Sequence, residues 1–277
     1  MTADSTWLTM LQAVVLGVLQ GATEFIPVSS SGHLVLAPWL LGWEPLGMLF
    51  DTMVHWGTLS ALLVIFWRDL WEIATGWLKA VWARDWSSPK ARLGWFLILG
   101  SIPGAVLGAL FEDFFEGLFS SPGAVAALLL VTGLILALAE RRGEGDQGMG
   151  HLKAPQVLLI GLAQAAAIAP GISRSGATIS AGMGLGLRRG QAARFSFLLS
   201  IPIILGAGVL QLLSAPAGAD LAAGLPAMAV GFVAAACSGY VVVRFLLRYL
   251  QRGSLFPFAV YCWVVGLGVL AAMALGL

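Results

Sequence analysis

The sequence predicts an all-α, polytopic membrane protein: one membrane domain over residues 1–277, with six spanning helices and two re-entrant broken-helix hairpins arranged as inverted-topology repeats. Three observations predict it. Of the 277 residues, 59% are hydrophobic and 10% charged, with a mean hydropathy of +0.90, whereas soluble domains carry about a quarter charged residues. Several apolar runs approach the roughly 20 residues that cross a hydrocarbon core. A polar interruption of the apolar sequence also occurs twice, at one constant offset. The net charge of +1 supplies no basic face to neutralise a phosphate backbone, which excludes nucleic acid as a partner.

The first element is residues 8–43, broken midway from Pro27 to Gly32. Proline and glycine interrupt helices, and broken backbone at membrane depth is tolerated only when buried in protein or lining a wet cavity. The segment therefore reads as a re-entrant hairpin. No basic residue precedes Trp7, so the first run lacks the charged start of a cleavable signal peptide and is expected to stay in the mature chain. Spans follow at 46–67, 94–111 and 121–139. Residues 71–86 place Trp71, Trp77, Trp82 and Trp86 among charges, which suits a helix lying in the interface, where indole rings prefer to sit. The polar, glycine-rich stretch 140–153 joins the halves. A second hairpin over 155–187, broken from Pro170 to Gly176, precedes spans at 195–213, 225–243 and 256–276. Cys237 and Cys262 fall in apolar runs and read as packing residues.

Loop charges orient the spans. Residues 68–92, 140–153, 188–194 and 244–252 carry Lys and Arg, whereas 112–120 holds Glu112, Asp113 and Glu116 without a base. Residues 214–224 hold only Asp220, and the two termini have no Lys or Arg. Basic loops are retained in the cytoplasm, so both termini are expected outside. Threading the spans through that assignment makes each broken segment enter and leave on one face, the first from outside and the second from inside. An odd number of spans follows each hairpin, so the halves, about 8–139 and 155–276, are inverted repeats whose broken helices meet near the midplane.

The duplicated stretch carries the chemistry. Gln20–Leu34, QGATEFIPVSSSGHL, sets a carboxylate, an imidazole and consecutive hydroxyls inside apolar sequence. Ionisable groups at membrane depth are costly enough that they face a cavity, find partners and mark function. Its second copy is Gly161–Thr178, GLAQAAAIAPGISRSGAT. Gly17 aligns with Gly161, Gln20 with Gln164, Ser29 with Ser173, Ser31 with Ser175 and Gly32 with Gly176. The copies part at chemical positions: Glu24 faces Ile168, His33 faces Ala177 and Ser30 faces Arg174. One copy holds the acid and the imidazole, the other the guanidinium.

In each copy a proline ends one half-helix and a serine caps the next. A helix N-terminus offers unpaired amide protons and partial positive charge, so it suits an anion. Two such ends with hydroxyls and Arg174 suit a phosphate, which the planar guanidinium can hold by two oxygens. Gln20 and Glu24 share a helix face by their spacing. Glu24 could ligate a divalent cation or take a proton; Gln20 could orient or weakly ligate. His33 could act as acid, base or nucleophile. Asp51 and His55 repeat the Gln20–Glu24 spacing at the start of the next span, where solvation at the outer interface competes with function. Serine and glycine in membrane helices are ordinarily packing residues; duplication and intramembrane charge reverse that here. His151, in the polar joint, reads as idle.

At these residues the chain resembles the undecaprenyl-diphosphate phosphatase family, also called the bacitracin-resistance family, over essentially its whole length. The first signature stands as Gln20, Glu24, Pro27, Val28, Ser29, Ser30, Gly32 and His33, and the second, PGxSRSxxT, as Pro170, Gly171, Ser173, Arg174, Ser175 and Thr178. The resemblance implies a plasma-membrane hydrolase that removes the terminal phosphate of the lipid carrier and regenerates the monophosphate for peptidoglycan synthesis, supported by Mg²⁺ or Ca²⁺. It implies Glu24, Ser30, His33 and Arg174 as the catalytic set. Gln20, Ser29, Ser31, Gly171, Ser173, Ser175 and Thr178 are the groups expected around the substrate. Gln20 stands where many members have glutamate, so a metal held by Glu24 would need Asp51 or substrate oxygens to complete its shell. Whether Ser30 or His33 attacks phosphorus, or Glu24 activates water, the residues leave open.

The sequence therefore points to a membrane phosphatase whose partners are a polyprenyl diphosphate lipid and the bilayer, with self-association as a homodimer left open. The rival is a secondary transporter or polyprenyl-phosphate flippase, because inverted repeats with broken helices are also the transporter plan. The unlike motifs favour the enzyme: Glu24 with Ser30 and His33 supplies proton transfer and a nucleophile, which transport does not require.

Overall fold

Proline in the first turn or serine at the N-cap starts several helices in this chain, as expected for residues that fix φ or satisfy an unpaired amide. The structure is a computed structural model that describes residues 3–84, 88–214 and 221–276. The first half comprises α1 (Ala3–Thr23), α2 (Ser30–Leu41), α3 (Met48–Ile65), α4 (Trp67–Ala83), α5 (Pro89–Leu110), α6 (Glu112–Phe119) and α7 (Pro122–Arg142). A single 3-10 turn, Met149–His151, lies in the joint. The second half comprises α8 (Ala154–Ala166), α9 (Arg174–Gly184), α10 (Arg189–Leu213), α11 (Leu221–Tyr249) and α12 (Phe256–Ala274). No strand occurs among the described residues. Among the described residues, helices α3, α5, α7, α10, α11 and α12 are the ones long and apolar enough to cross a membrane, at the positions where the apolar runs predict spans. The chain is an all-α polytopic membrane protein.

Three boundaries differ from the sequence expectation. Residues 188–194 and 244–252 were expected as loops, yet α10 already begins at Arg189 and α11 continues to Tyr249. Apolar content marks the hydrocarbon depth, whereas helical hydrogen bonding continues beyond it and long basic side chains reach outward. Arg189 is itself buried, paired with Glu140 at 2.9 Å and Glu144 at 3.8 Å, which ties the start of α10 to the end of α7. Residues 112–120 were expected as loop but form α6, with Glu112 and Asp113 in its first turn, where carboxylates complement the helix dipole. The tryptophan-rich helix is present as α4. Its Ile73 and Ala80 face inward and Trp71 and Trp82 outward, while Trp77 meets Trp95 of α5 edge-on at 5.3 Å. Trp86 and Asp220 lie outside the described residues.

The broken segments are α1 with α2, and α8 with α9. Each first half-helix packs against a span of the other half, α1 on α11 and α8 on α5. The glycines matched by the duplication mark those contacts. A Cβ on Gly17 would sit 2.5 Å from the carbonyl oxygen of Gly231, and one on Gly161 would sit 2.6 Å from that of Gly100. Only hydrogen fits there, so backbone meets backbone, as small residues allow in membrane helices.

Candidate active site

The two breaks meet tip to tip. Ser29 caps α2, its Oγ accepting from Gly32 N at 3.3 Å, and Ser173 caps α9, accepting from Gly176 N at 3.1 Å. The copies repeat a second detail: Ser29 Oγ lies 3.3 Å from Ser31 Oγ, and Ser173 Oγ 3.2 Å from Ser175 Oγ. The tips are joined directly, since Gly171 N donates to Ser29 Oγ at 3.0 Å. Gly171 has φ +101°, open to glycine at little cost, and its carbonyl accepts from Thr132 Oγ1 at 2.7 Å. Thr132 Oγ1 in turn accepts from Ser173 N at 3.0 Å, so α7 fixes the second tip.

Glu24 is the hub. Its side chain is only 5% exposed, so an ionised carboxylate there needs partners. Arg174 Nη2 donates to Glu24 Oε1 and Ser30 Oγ donates to Oε2. Gln20 Nε2 also donates to Oε2, at 2.8 Å, and His55 Nε2 stands 3.7 Å from the same oxygen. Arg174 Nη1 is buried with no partner among the described residues. A buried donor left unpaired costs about 1–3 kcal/mol, which an arriving phosphate oxygen would recover.

Beside the hub lies a cavity of about 830 Å³. Its polar end holds Glu24, Ser29, Ser30, Ser31, Ser173 and Arg174, and its walls include Leu34, Val35, Trp39, Ile168, Ile172 and Ile204. A phosphate-bearing head with a hydrocarbon tail matches that polarity gradient. The cavity also reaches Trp43, Glu116, Ser120 and Gln211.

The other expected residues stand behind this wall. Gln20 is fully buried and reaches the cavity only through Glu24. Ser175 Oγ contacts Ile26 O at 3.4 Å, and Thr178 Oγ1 bonds Arg174 O at 2.8 Å and Ser196 Oγ at 2.6 Å. His33 faces away from Ser30: Nδ1 lies 2.7 Å from Ser29 O and Nε2 2.8 Å from Tyr261 Oη. His55, whose spacing in the sequence fits a solvated interface equally well, lines the cavity, with Nδ1 held by Asp51 O at 2.7 Å. Gln164, Thr52 and Gln211 are further polar groups on the wall, and Thr52 donates to Gln211 at 2.6 Å. Gln164 was visible in the duplication, as the partner of Gln20; Thr52 and Gln211 carried no sequence signal beyond being polar in apolar runs.

The donor set does not fit a resident divalent cation. No three His, Cys, Asp or Glu groups cluster among the described residues. Both oxygens of Glu24 are taken by Arg174, Ser30 and Gln20, and Mg²⁺ or Ca²⁺ needs six or more oxygens. Asp51 lines the cavity but adds only one further carboxylate.

The chain is similar to known proteins along almost its whole length. Residues 13–268 match the family described as bacitracin resistance protein BacA. A protein of Rubrobacter xylanophilus called undecaprenyl-diphosphatase is 45% identical over 276 residues, covering 97% of this chain and 100% of its own. One of the same name from Pelobacter propionicus is 42% identical over 272 residues, covering 98% and 99%. A third, from Thermomicrobium roseum, is 43% identical over 276 residues, covering 95% and 98%.

Proposed function

The chain belongs to the bacitracin resistance protein BacA family, and we propose how its residues perform that family's chemistry. The protein is a multi-pass phosphatase of the inner membrane. It hydrolyses undecaprenyl diphosphate to undecaprenyl phosphate and inorganic phosphate, recycling the lipid carrier for peptidoglycan synthesis. The observation that carries the mechanism is that Ser30 and Arg174, from opposite repeats, share the carboxylate of Glu24.

In this mechanism the terminal phosphate lies between the first turns of α2 and α9, bound by their free amides and by Arg174 Nη1. Ser30 Oγ attacks phosphorus while its proton passes to Glu24, and the bond to the bridging oxygen breaks to release undecaprenyl phosphate. Glu24 loses that proton to the departing phosphate. Water then attacks the phosphoserine, giving a proton to Glu24, and Ser30 Oγ leaves and takes a proton back. Inorganic phosphate departs. His33, with both ring nitrogens engaged away from Ser30, holds the loop rather than attacking. The remaining expected contacts, Ser29, Ser31 and Ser173, line the phosphate pocket, while Gln20, Gly171, Ser175 and Thr178 support it from behind.

A divalent cation, Mg²⁺ or Ca²⁺, would arrive with the diphosphate, held by phosphate oxygens and water rather than by a protein cage. The halves 8–139 and 155–276 act as inverted repeats, a reading supported by the reciprocal packing of α1 on α11 and α8 on α5. Both termini lie outside the cytoplasm and the cavity opens outward, because its lining includes Glu116 and Ser120 from a segment without basic residues. A homodimer in the bilayer completes the reading, and cross-linking in native membranes tests it. The decisive assay is phosphate release from undecaprenyl diphosphate in detergent, where no gradient exists. Wild-type protein should release phosphate and Ser30→Ala should not; equal release by both would remove Ser30 from the chemistry, and silence of the wild type would favour transport.

A further inference from the structure

Tyr261 belongs to neither motif, yet α12 brings it to the first break. Its hydroxyl lies 2.8 Å from His33 Nε2, and the two rings stack at 5.6 Å with 15° between their planes. Its neighbour Cys262 sets Sγ 3.9 Å from Pro27 O, so α12 touches the break on both sides of Ser29. His33 Nδ1 lies 2.7 Å from the carbonyl oxygen of Ser29. A carbonyl only accepts, so Nδ1 carries the proton; in the neutral ring Nε2 then offers a lone pair, and the phenol donates to it.

The residue that this ring holds is strained. Ser29 has φ 68° and ψ 94°, on the positive side that residues with a Cβ seldom occupy. Such a conformation persists only where surrounding contacts over-determine it. Here the contacts are His33 on its carbonyl and the amides of Gly171 and Gly32 on its hydroxyl. The equivalent cap in the second repeat, Ser173, has φ −74° and faces Ala177 in place of a histidine. Strain and imidazole occur together, in one copy only.

We propose that Tyr261 is a positioning residue for the phosphatase reaction. Its hydroxyl fixes the His33 tautomer whose Nδ1–H clamps the Ser29 carbonyl, and the clamped Ser29 aims Ser30 Oγ and the first turn of α2 at the phosphate. This rests on Ser30 and Glu24 as the reacting pair. Tyr261 touches no substrate, so its loss should lower kcat and leave KM nearly unchanged.

The chain has 3 histidines, so nitrogen-15 imidazole spectra of the detergent-solubilised protein are readily assigned by His33→Gln. His33 should show a protonated Nδ1 and a hydrogen-bonded, unprotonated Nε2, and Tyr261→Phe should move Nε2 toward the position of a bare lone pair. A proton on Nε2 in the wild type overturns the proposal, whether or not the protein hydrolyses anything and whether or not any variant folds. In kinetics, Tyr261→Phe should lose roughly tenfold in kcat, the scale of one hydrogen bond, and should cost nothing further in a His33→Ala background. Full activity of Tyr261→Phe, or losses that multiply in the double variant, would show that Tyr261 does not act through His33. A wild type that releases no phosphate would sink the functional reading while leaving the tautomer result to judge the clamp.

Discussion

Arg174→Lys isolates what the guanidinium fork contributes. One nitrogen, Nη2, is committed to Glu24, and the other, Nη1, is buried without a partner among the described residues. Lysine keeps the charge but concentrates its donors on one atom, so it can serve Glu24 or the phosphate well, and not both. The variant should lose one charge-assisted hydrogen bond, about 1.5–3 kcal/mol. That converts to roughly ten- to 150-fold in kcat/KM, at 1.36 kcal/mol per tenfold. The assay is initial-rate phosphate release from undecaprenyl diphosphate over a range of substrate concentrations, with melting in detergent as a folding control. Glu24 retains Ser30 and Gln20 as partners, so the fold should survive. Near-normal kcat/KM in a folded Arg174→Lys protein would refute the two-sided role and leave only a diffuse positive charge.

Three further outcomes are expected. Hydrolysis of a substrate with a chiral terminal phosphate should retain configuration, since two in-line displacements through Ser30 restore it; inversion would rule out the covalent step. In a Cys237→Ala, Cys262→Ala background, an impermeant thiol reagent on intact cells should label Glu116→Cys, whereas Asp146→Cys should react only after lysis. Labelling of Asp146→Cys from outside would break the inverted topology. Gly161→Ala should destabilise by about 1–3 kcal/mol, as overpacking does, because its Cβ would meet Gly100 O at 2.6 Å. Gly206→Ala, where nothing lies within 4 Å, is the control, and equal melting of the two would deny the close approach.

The spans and the broken helices were legible because each depends on local composition: apolar length, and the Pro27–Gly32 and Pro170–Gly176 interruptions. The capping serines were legible for the same reason, since Ser29 and Ser173 act within three residues of themselves. What was hidden depends on distant contacts. His33 reads as a candidate nucleophile until α12 supplies Tyr261, 228 positions away, and takes up its second nitrogen. The available signal was a phenol in the otherwise apolar run of α12, too weak to name a partner. The spacing of His55 with Asp51 says nothing of direction; only the packing of α3 turns its Nε2 toward Glu24. Helix α6 is hard to read from sequence because three acids in eight residues resemble a solvated loop, although acids in a first turn also favour a helix start.

The divergence of the two copies follows from the same electrostatics. A two-fold arrangement of identical tips would set Glu24 against a second carboxylate, or Arg174 against a second guanidinium, and like charges buried together cannot both stay ionised. Replacing Glu24 by Ile168 and Ser30 by Arg174 in the second copy converts that repulsion into an ion pair across the interface. The backbone plan can then remain duplicated, with its serine caps and close glycines, because those features carry no net charge. Only the side chains that handle charge must differ. That division predicts an asymmetric response to exchange: Ile168→Glu should place a second carboxylate near the phosphate site on the cavity wall and weaken substrate binding by repulsion, raising KM. Glu24→Ile should instead strand Arg174 without its partner, and breaking a buried pair by removing one member costs about 3–5 kcal/mol. Melting in detergent and phosphate-release kinetics separate the two effects. Equal loss of stability in both variants would mean that the ion pair does not bind the halves together.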